Sequence, residues 1–73
     1  MNAEERKAER IRHYQTYRAI ADEKGLSDCR VSRDVGLAQA VLSEWKSGKS
    51  QPKIDKLMKL AKYLDSSVEE LLA

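Results

Sequence analysis

Residues 25–52 have the sequence GLSDCRVSRDVGLAQAVLSEWKSGKSQP, and this stretch decides the fold. Its three glycines, Gly25, Gly36 and Gly48, each follow a helical pattern and precede a new helix-start signal. A glycine just past a helix end typically adopts the left-handed conformation that stops the helix. Pro52 marks one further break, because proline cannot continue a helix. The spacing predicts two short helices joined by a tight turn.

Both of these helices have recognisable start signals. Ser27 is a good N-cap for helix 2, and Leu26 and Val31 form a hydrophobic staple around it. Helix 3 begins after Ala38, which is a poor N-cap and costs about 1 kcal/mol relative to serine or threonine. It ends after roughly nine residues, a length that is unstable in isolation. Helix 3 must therefore pack against its neighbours.

Helical periodicity continues on both sides of the central stretch. Helix 1 is predicted over about 4–24, and helix 4 over about 54–64. The predicted core face of helix 1 is Tyr14, Tyr17, Ile20 and Ala21. The predicted core stripe of helix 4 is Ile54, Leu57, Met58, Ala61 and Leu64. Helix 5 begins at Val68, with Ser67 as N-cap and Glu70 completing a capping box. The prediction is an all-α domain of five short helices that pack orthogonally.

The first dozen residues differ from the rest because their apolar pattern thins amid charges. Residues 1–12 are predicted to be either a solvated extension of helix 1 or a frayed, charged N-terminal arm. Residues 13–73 are predicted to form the single folded domain. A chain of 73 residues buries only about 60% of its extended surface, so one modest core is expected.

Composition excludes several classes of protein. With 41% hydrophobic and 36% charged residues, the chain is typical of a soluble globular domain. Its longest apolar runs are too short for a signal peptide or a transmembrane helix. The single cysteine, Cys29, is compatible with a reducing cytoplasm, where we expect the protein to be located. A net charge of +2 is too small to identify an acidic partner by itself.

Nothing in the sequence favours an enzyme. The single histidine, His13, and Cys29 have no partners at metal-ligand spacing, and the glycines do not form a phosphate-binding loop. We therefore expect no cofactor, no metal and no small-molecule substrate. Cys29 is interpreted as a spectator, with a redox switch as the alternative, and His13 as a surface residue.

Helix 3 has two faces when it is drawn at about 100° per residue. Leu42 and Trp45 share one side, and Trp45 is interpreted as a core anchor rather than a base-stacking residue. The opposite side holds only small or polar residues, which are Ala40, Ser43, Glu44 and Ser47. Gln39 lies at the flank in the first turn, where its side chain projects beyond the helix end. A helix that enters the major groove of DNA needs such a face.

The residues of this face suit the edges of bases. Gln39 can pair with adenine N6 and N7, Ala40 can touch a thymine methyl, and Glu44 can accept a hydrogen bond from cytosine N4. The alternatives are a solvated Gln39, an Ala40 that is merely small, and a Glu44 that is solvated or paired with a lysine. Residues suited to phosphate contact surround this face: Ser43, Ser47, Lys49, Ser50 and Lys53.

Several motifs in order resemble the Cro/C1-type (phage-repressor-like, XRE-type) helix-turn-helix family. They are the Gly25-Leu26-Ser27 start of helix 2, the Val35-Gly36-Leu37 turn, the L-S-x-W-x-x-G-K-S-x-P run over 42–52, and the later L-x-K-L-A-x-x-L and S-V-E-E-L-L runs. The resemblance covers about 13–72. It implies a five-helix λ-repressor-like fold and a sequence-specific, usually dimeric transcriptional regulator whose recognition helix spans 38–47.

The resemblance also assigns roles to residues. The base-reading positions of the family fall on Gln39, Ala40 and Glu44. Its phosphate-contact positions fall on Ser27, Asp28, Ser43, Ser47, Lys49 and Lys53. At the Asp28 position the family usually has a glutamine that binds a phosphate. Because an aspartate there should repel a phosphate, Asp28 is left out of the predicted contacts. The family usually begins helix 3 with serine or threonine, and Ala38 lacks that hydroxyl.

Two functional hypotheses follow. The first is a prophage- or plasmid-type repressor that binds double-stranded DNA as a homodimer and blocks transcription by occupying an operator. The second is an antitoxin-like module that uses the same fold to hold a protein partner. Leu71 and Leu72 are expected either to complete the core or to contact a second subunit. The N-terminal segment either reaches DNA or is simply solvated, since glutamates interrupt its basic residues, which are Arg6, Lys7, Arg10 and Arg12.

Overall fold

The structure is a computed structural model that describes residues 2–73, and it consists of five helices and their connections. The helices are α1 (Ala3–Glu23), α2 (Asp28–Val35), α3 (Gln39–Ser47), α4 (Ile54–Tyr63) and α5 (Val68–Leu71). Within this described range there is no β-strand. The predicted all-α, five-helix fold is therefore confirmed.

The helix ends agree with the capping signals. The Ser27 side chain accepts a hydrogen bond from the backbone N–H of Arg30 at 3.1 Å, and Ser67 caps α5 by accepting one from Glu70 at 3.1 Å. Gly36 ends α2 in the left-handed region with a φ of 83°. Ala38, as its side chain requires, makes no capping hydrogen bond. Local chemistry therefore fixes the bounds of the two central helices.

The core is centred on Trp45, which is fully buried. Its indole ring stacks on Tyr17 with centroids 5.1 Å apart and meets Tyr14 edge-on at 5.7 Å. Offset and edge-to-face aromatic pairs of this kind add stability beyond simple burial. The core thus ties α3 to α1 through three aromatic rings.

The core face of α4 differs from the predicted stripe. Ile54 and Met58 are 62% and 60% exposed, whereas Leu60, which the stripe omitted, is fully buried. The buried face is centred on Leu57, and Met58 lies about 100° away from it around the helix. The prediction was therefore wrong for Ile54 and Met58, because the face of α4 that meets the core is turned around the helix toward Leu60.

Of the predicted arm or helix extension over 1–12, residue 1 lies outside the described residues, and residues 3–12 are a regular part of α1. Asn2 caps the helix by accepting a hydrogen bond from the backbone N–H of Glu5 at 2.8 Å. Further along α1, His13 is 7% exposed, and its Nδ1 lies 2.8 Å from Gln51 Oε1 in the α3–α4 connection. The interpretation of His13 as a surface residue was wrong, since this connection covers it. No helix in the described range is long and apolar enough to cross a membrane.

Candidate nucleic-acid interface

The site is built on α3, which packs against both α1 and α2. Leu42 is 1% exposed and Trp45 is fully buried, so these two side chains fix the rotation of the helix about its axis. The opposite face consequently points away from the core. This is the orientation that the two-faced pattern of the sequence predicts.

The outer face of α3 carries the predicted base-reading residues. Gln39 and Ala40 are exposed at its N-terminal end, and Glu44 lies half-buried one turn later. Ser43 and Ser47 are exposed on the same side. The helix therefore presents small and polar side chains to its surroundings, which leaves room for a flat partner to approach its backbone. Contact of these residues with bases remains a prediction.

Glu44 is held by the segment that follows α3. Ser50 donates a hydrogen bond from Oγ to Glu44 Oε1 at 3.0 Å. The backbone N–H groups of Lys49 and Ser50 donate to the Glu44 carbonyl oxygen at 2.9 and 3.3 Å. These bonds orient the Glu44 side chain, and one of its carboxylate oxygens is bound to Ser50.

The predicted phosphate-contact residues surround the outer face of α3. Ser27, Lys49 and Lys53 are exposed, as are the two serines of α3. Because the Ser27 oxygen accepts in its capping bond, its hydroxyl hydrogen can still be donated to a phosphate. The Ser47 hydroxyl donates to the Glu44 carbonyl oxygen at 3.0 Å, and Ser50 donates to Glu44. Either hydroxyl must exchange its present partner to donate to a phosphate.

The sequence did not single out Lys46 as part of this surface. An open cleft of about 250 Å³ between the N-terminal turns of α2 and α3 is lined by Lys46 together with Asp28, Gln39 and Ser43. Lys46 is exposed in the last turn of α3. Lys46 directly follows Trp45 and lies on the flank of α3 that faces α2. This position was the sequence signal that could have identified it.

Asp28 forms a polar cluster that sequence patterns did not reveal. Its carboxylate accepts hydrogen bonds from the hydroxyls of Tyr14 and Tyr17, the latter at 2.9 Å, and from Arg18 Nη1 at 2.5 Å. Arg18 also donates to the Leu26 carbonyl oxygen at 2.8 Å. The cluster joins α1 to the start of α2. The hydroxyls of both core tyrosines are thus bound to Asp28.

The cluster alters the ionisation of its members. Partial burial disfavours the charged form of Asp28, but hydrogen bonds from Tyr14, Arg18 and Tyr17 outweigh it and lower the pKa of the carboxyl group. Burial, followed by the hydrogen bond to Asp28, raises the pKa of Tyr17, and the pKa of Tyr14 rises for the same reasons. Arg18 offsets the negative charge of Asp28, which weakens the repulsion of phosphate expected from the sequence.

Two further observations concern the cysteine and the metal-ligating residue types. Cys29 is exposed and unpaired with another cysteine. Residues 2–73 contain no group of three histidine, cysteine, aspartate or glutamate side chains that could hold a metal ion.

An anchored helix with a small, polar outer face, joined to a preceding helix by a tight glycine turn, defines the class of helix-turn-helix DNA-binding domains. A family model described as helix-turn-helix matches residues 18–71. The chain belongs to this helix-turn-helix family, in its Cro/C1 (XRE) type, whose members are DNA-binding transcription regulators.

A solved structure is also similar to the chain. It is the high-resolution crystal structure of the restriction-modification controller protein C.AhdI from Aeromonas hydrophila. The two share 26% sequence identity with a TM-score of 0.78, over 88% of this chain and 97% of the other. A comparison with curated proteins gave no match.

Proposed function

We propose that the protein is a sequence-specific transcriptional repressor that binds double-stranded DNA as a homodimer and acts by occupying its operator. The observation that carries this proposal is the outer face of α3, which is held outward by the buried Leu42 and Trp45. In the proposed complex α3 lies in the major groove with its N-terminal residues at the base edges. Similarity to a restriction-modification controller protein supports a regulatory role.

Three side chains read bases in this proposal. Gln39 pairs with adenine, Ala40 contacts a thymine methyl, and Glu44 accepts from the amino group of cytosine. The Ser50 hydrogen bond supports the Glu44 assignment, because an orientation fixed before binding reduces the entropy lost on contact. One Glu44 carboxylate oxygen is used by Ser50, which leaves the other for a base.

The phosphate contacts position α3 rather than read the sequence. In the proposed complex they come from Ser27, Ser43, Ser47, Lys49 and Lys53. A phosphate contact of Ser50, which the sequence also predicts, would replace its hydrogen bond to Glu44, so these two roles of Ser50 are alternatives. Asp28 is excluded because its carboxylate is occupied by Tyr14, Tyr17 and Arg18. The N-terminus of α2, capped by Ser27, adds backbone N–H groups and a partial positive charge.

A homodimer would be formed through the start of α4. Ile54 and Met58 are the exposed large hydrophobic side chains among the described residues, and they lie one turn apart on the same face. Ile54 follows Lys53 directly, so an interface here keeps the phosphate contacts of two subunits close to a common DNA axis. Leu71 is fully buried, and Val68 and Leu72 are half-buried against the core, which leaves little free apolar surface on α5 for the antitoxin-like alternative.

Selection of binding sites from random duplex DNA tests the proposal. We expect enrichment of a two-fold motif whose half-site centres are about 10 base pairs apart, or a multiple of that spacing, since both recognition helices must reach one face of the DNA. Failure to enrich any motif at low salt would show that DNA reading is not the function. A single half-site without symmetry would retain DNA binding and remove the dimer.

The Gln39→Ala variant tests base reading directly. We expect it to lose about 1–3 kcal/mol on the selected operator and to accept other bases at one position of each half-site. The matched comparison is Lys53→Ala, which should weaken binding to all sequences alike and reduce the salt slope by about one unit. The measurement is fluorescence anisotropy on operators changed one base pair at a time. Wild-type behaviour of Gln39→Ala on every operator would contradict the role of Gln39.

A further inference from the structure

A basic cleft at the edge of the predicted contact surface lies between α1 and the connection after α3. It is open to solvent and has a volume of about 450 Å³. Arg6, Arg10 and Lys49 contribute positive charge to its lining, and Glu9 contributes a negative one. His13 and Gln51, which are bonded to each other, also line it. The cleft therefore holds more cations than carboxylates.

The two walls of the cleft are held in place. Arg10 donates a hydrogen bond from Nε to the Gly48 carbonyl oxygen at 2.7 Å. Gly48 is buried, and a Cβ atom at this position would lie 2.7 Å from Lys7 Cγ and 2.8 Å from Ile11 Cγ1. The side chains of α1 can approach residue 48 this closely because it is glycine and has no Cβ atom. The N-terminal half of α1 is thus packed against the C-terminal end of α3.

The chemistry of the cleft suits a phosphate group. The Nε bond uses one of the five N–H donors of Arg10 and fixes the plane of its guanidinium group. Guanidinium groups match phosphate oxygens with paired hydrogen bonds, and a lysine ammonium adds a point charge. Glu9 is the one carboxylate in the lining, and its Oε1 lies 4.0 Å from His13 Nε2.

We propose that Arg6, Arg10 and Lys49 bind a backbone phosphate of the DNA that flanks the half-site read by α3. This inference rests on the proposed DNA-binding function and extends its contact surface onto α1. Lys49 lines the cleft and also belongs to the proposed phosphate contacts, so the two surfaces are continuous. Successive phosphates of one DNA strand are about 3.4 Å apart along the helix axis. The phosphate that follows one already bound by the predicted contacts therefore lies beside them.

The test is the salt dependence of DNA binding by Arg6→Gln, a variant at an exposed position of α1. On a duplex with long flanks, the slope of log K against log salt should become less steep by about 0.9 unit, the change for one lost phosphate contact. Trimming the flanks should bring the wild-type slope to that of the variant. Lys62→Gln, at an exposed position of α4, is the matched control and should keep the wild-type slope.

Each other outcome overturns the inference. An unchanged slope for Arg6→Gln means that the cleft does not meet DNA, and weaker binding with an unchanged slope means that Arg6 acts only through folding. Arg10→Lys keeps the positive charge, so the salt slope of its DNA binding should stay near that of the wild type. Its thermal stability measures the loss of the hydrogen bond to Gly48. If the wild-type protein binds no duplex at all, the proposed function itself fails.

A second arm separates DNA from a free phosphate. Inorganic phosphate is titrated into DNA-free protein while the Nε–Hε resonance of Arg10 is followed by NMR. We expect only a weak, non-saturating shift. Saturation at low millimolar phosphate, together with an unchanged slope for Arg6→Gln, would assign the cleft to a small phosphate-bearing anion and overturn the DNA assignment.

Discussion

The Asp28→Ala protein is expected to lose about 2–4 kcal/mol of its free energy of unfolding, because three donors lose their acceptor at once. The Tyr14 and Tyr17 hydroxyls and the Arg18 guanidinium all bond to this carboxylate. Of these, Tyr17 is fully buried and cannot turn to water without disturbing the Trp45 stack. Urea unfolding followed by circular dichroism measures the loss.

Asp22→Ala is the matched control for Asp28→Ala. Asp22 also bonds to Arg18, but its side chain is 68% exposed, and we expect its removal to cost less than about 1 kcal/mol. Equal losses for the two variants would show that the cluster contributes only an ordinary surface ion pair. A large loss for Asp28→Ala alone would place the stability in the link between α1 and α2.

The same cluster predicts a response to acid. The pKa of Asp28 is lowered below its ordinary value of 3.8 by hydrogen bonds that outweigh the effect of burial. A carboxyl group of this kind stabilises the fold fully above its unfolded pKa, and this stability is lost as the pH falls through the folded pKa. Below about pH 4, the wild type should therefore lose part of its advantage over Asp28→Asn. A constant difference between the two proteins from pH 7 to the acid limit would contradict this.

The local features of the fold could be predicted from sequence because they depend on near neighbours. Ser27 caps a backbone group only three residues away, and Gly36 ends α2 through its own backbone conformation. The outer face of α3 follows from helical periodicity once Leu42 and Trp45 are assigned to the core. These are contacts or directions that a short window of sequence contains.

The features that were missed depend on contacts between distant segments. Asp28 meets Tyr14 on another helix, and His13 is covered by Gln51, which is 38 positions away in the chain. No periodic pattern encodes such pairs. The sequence also placed Ile54 and Met58 on the core face of α4, since periodicity gives an apolar stripe but not the direction from which the other helices pack against it.

The largest expected effect on DNA binding comes from these two misassigned residues. Ile54→Gln combined with Met58→Gln should convert the proposed homodimer into a monomer and lower operator affinity by about 100-fold or more, because linked half-sites gain that much from binding together. Burial of one such side chain is worth about 1.5–3 kcal/mol, and a two-fold interface loses each side chain twice. Analytical ultracentrifugation and operator titration measure the two effects.

An unfolding measurement and a control at charged residues of α4 distinguish a dimer interface at Ile54 and Met58 from an ordinary exposed surface. Both side chains are more than half exposed, so their replacement should leave the free energy of unfolding of the isolated chain within about 0.5 kcal/mol of the wild type. The control Lys59→Gln with Lys62→Gln alters two other exposed positions of α4 and should leave the dimer intact. An unchanged dimer in the Ile54 and Met58 variant would place the two-fold axis on another face. A wild-type monomer that still occupies both half-sites would mean that DNA alone brings the subunits together, and the apolar pair would then be left without a role in operator binding.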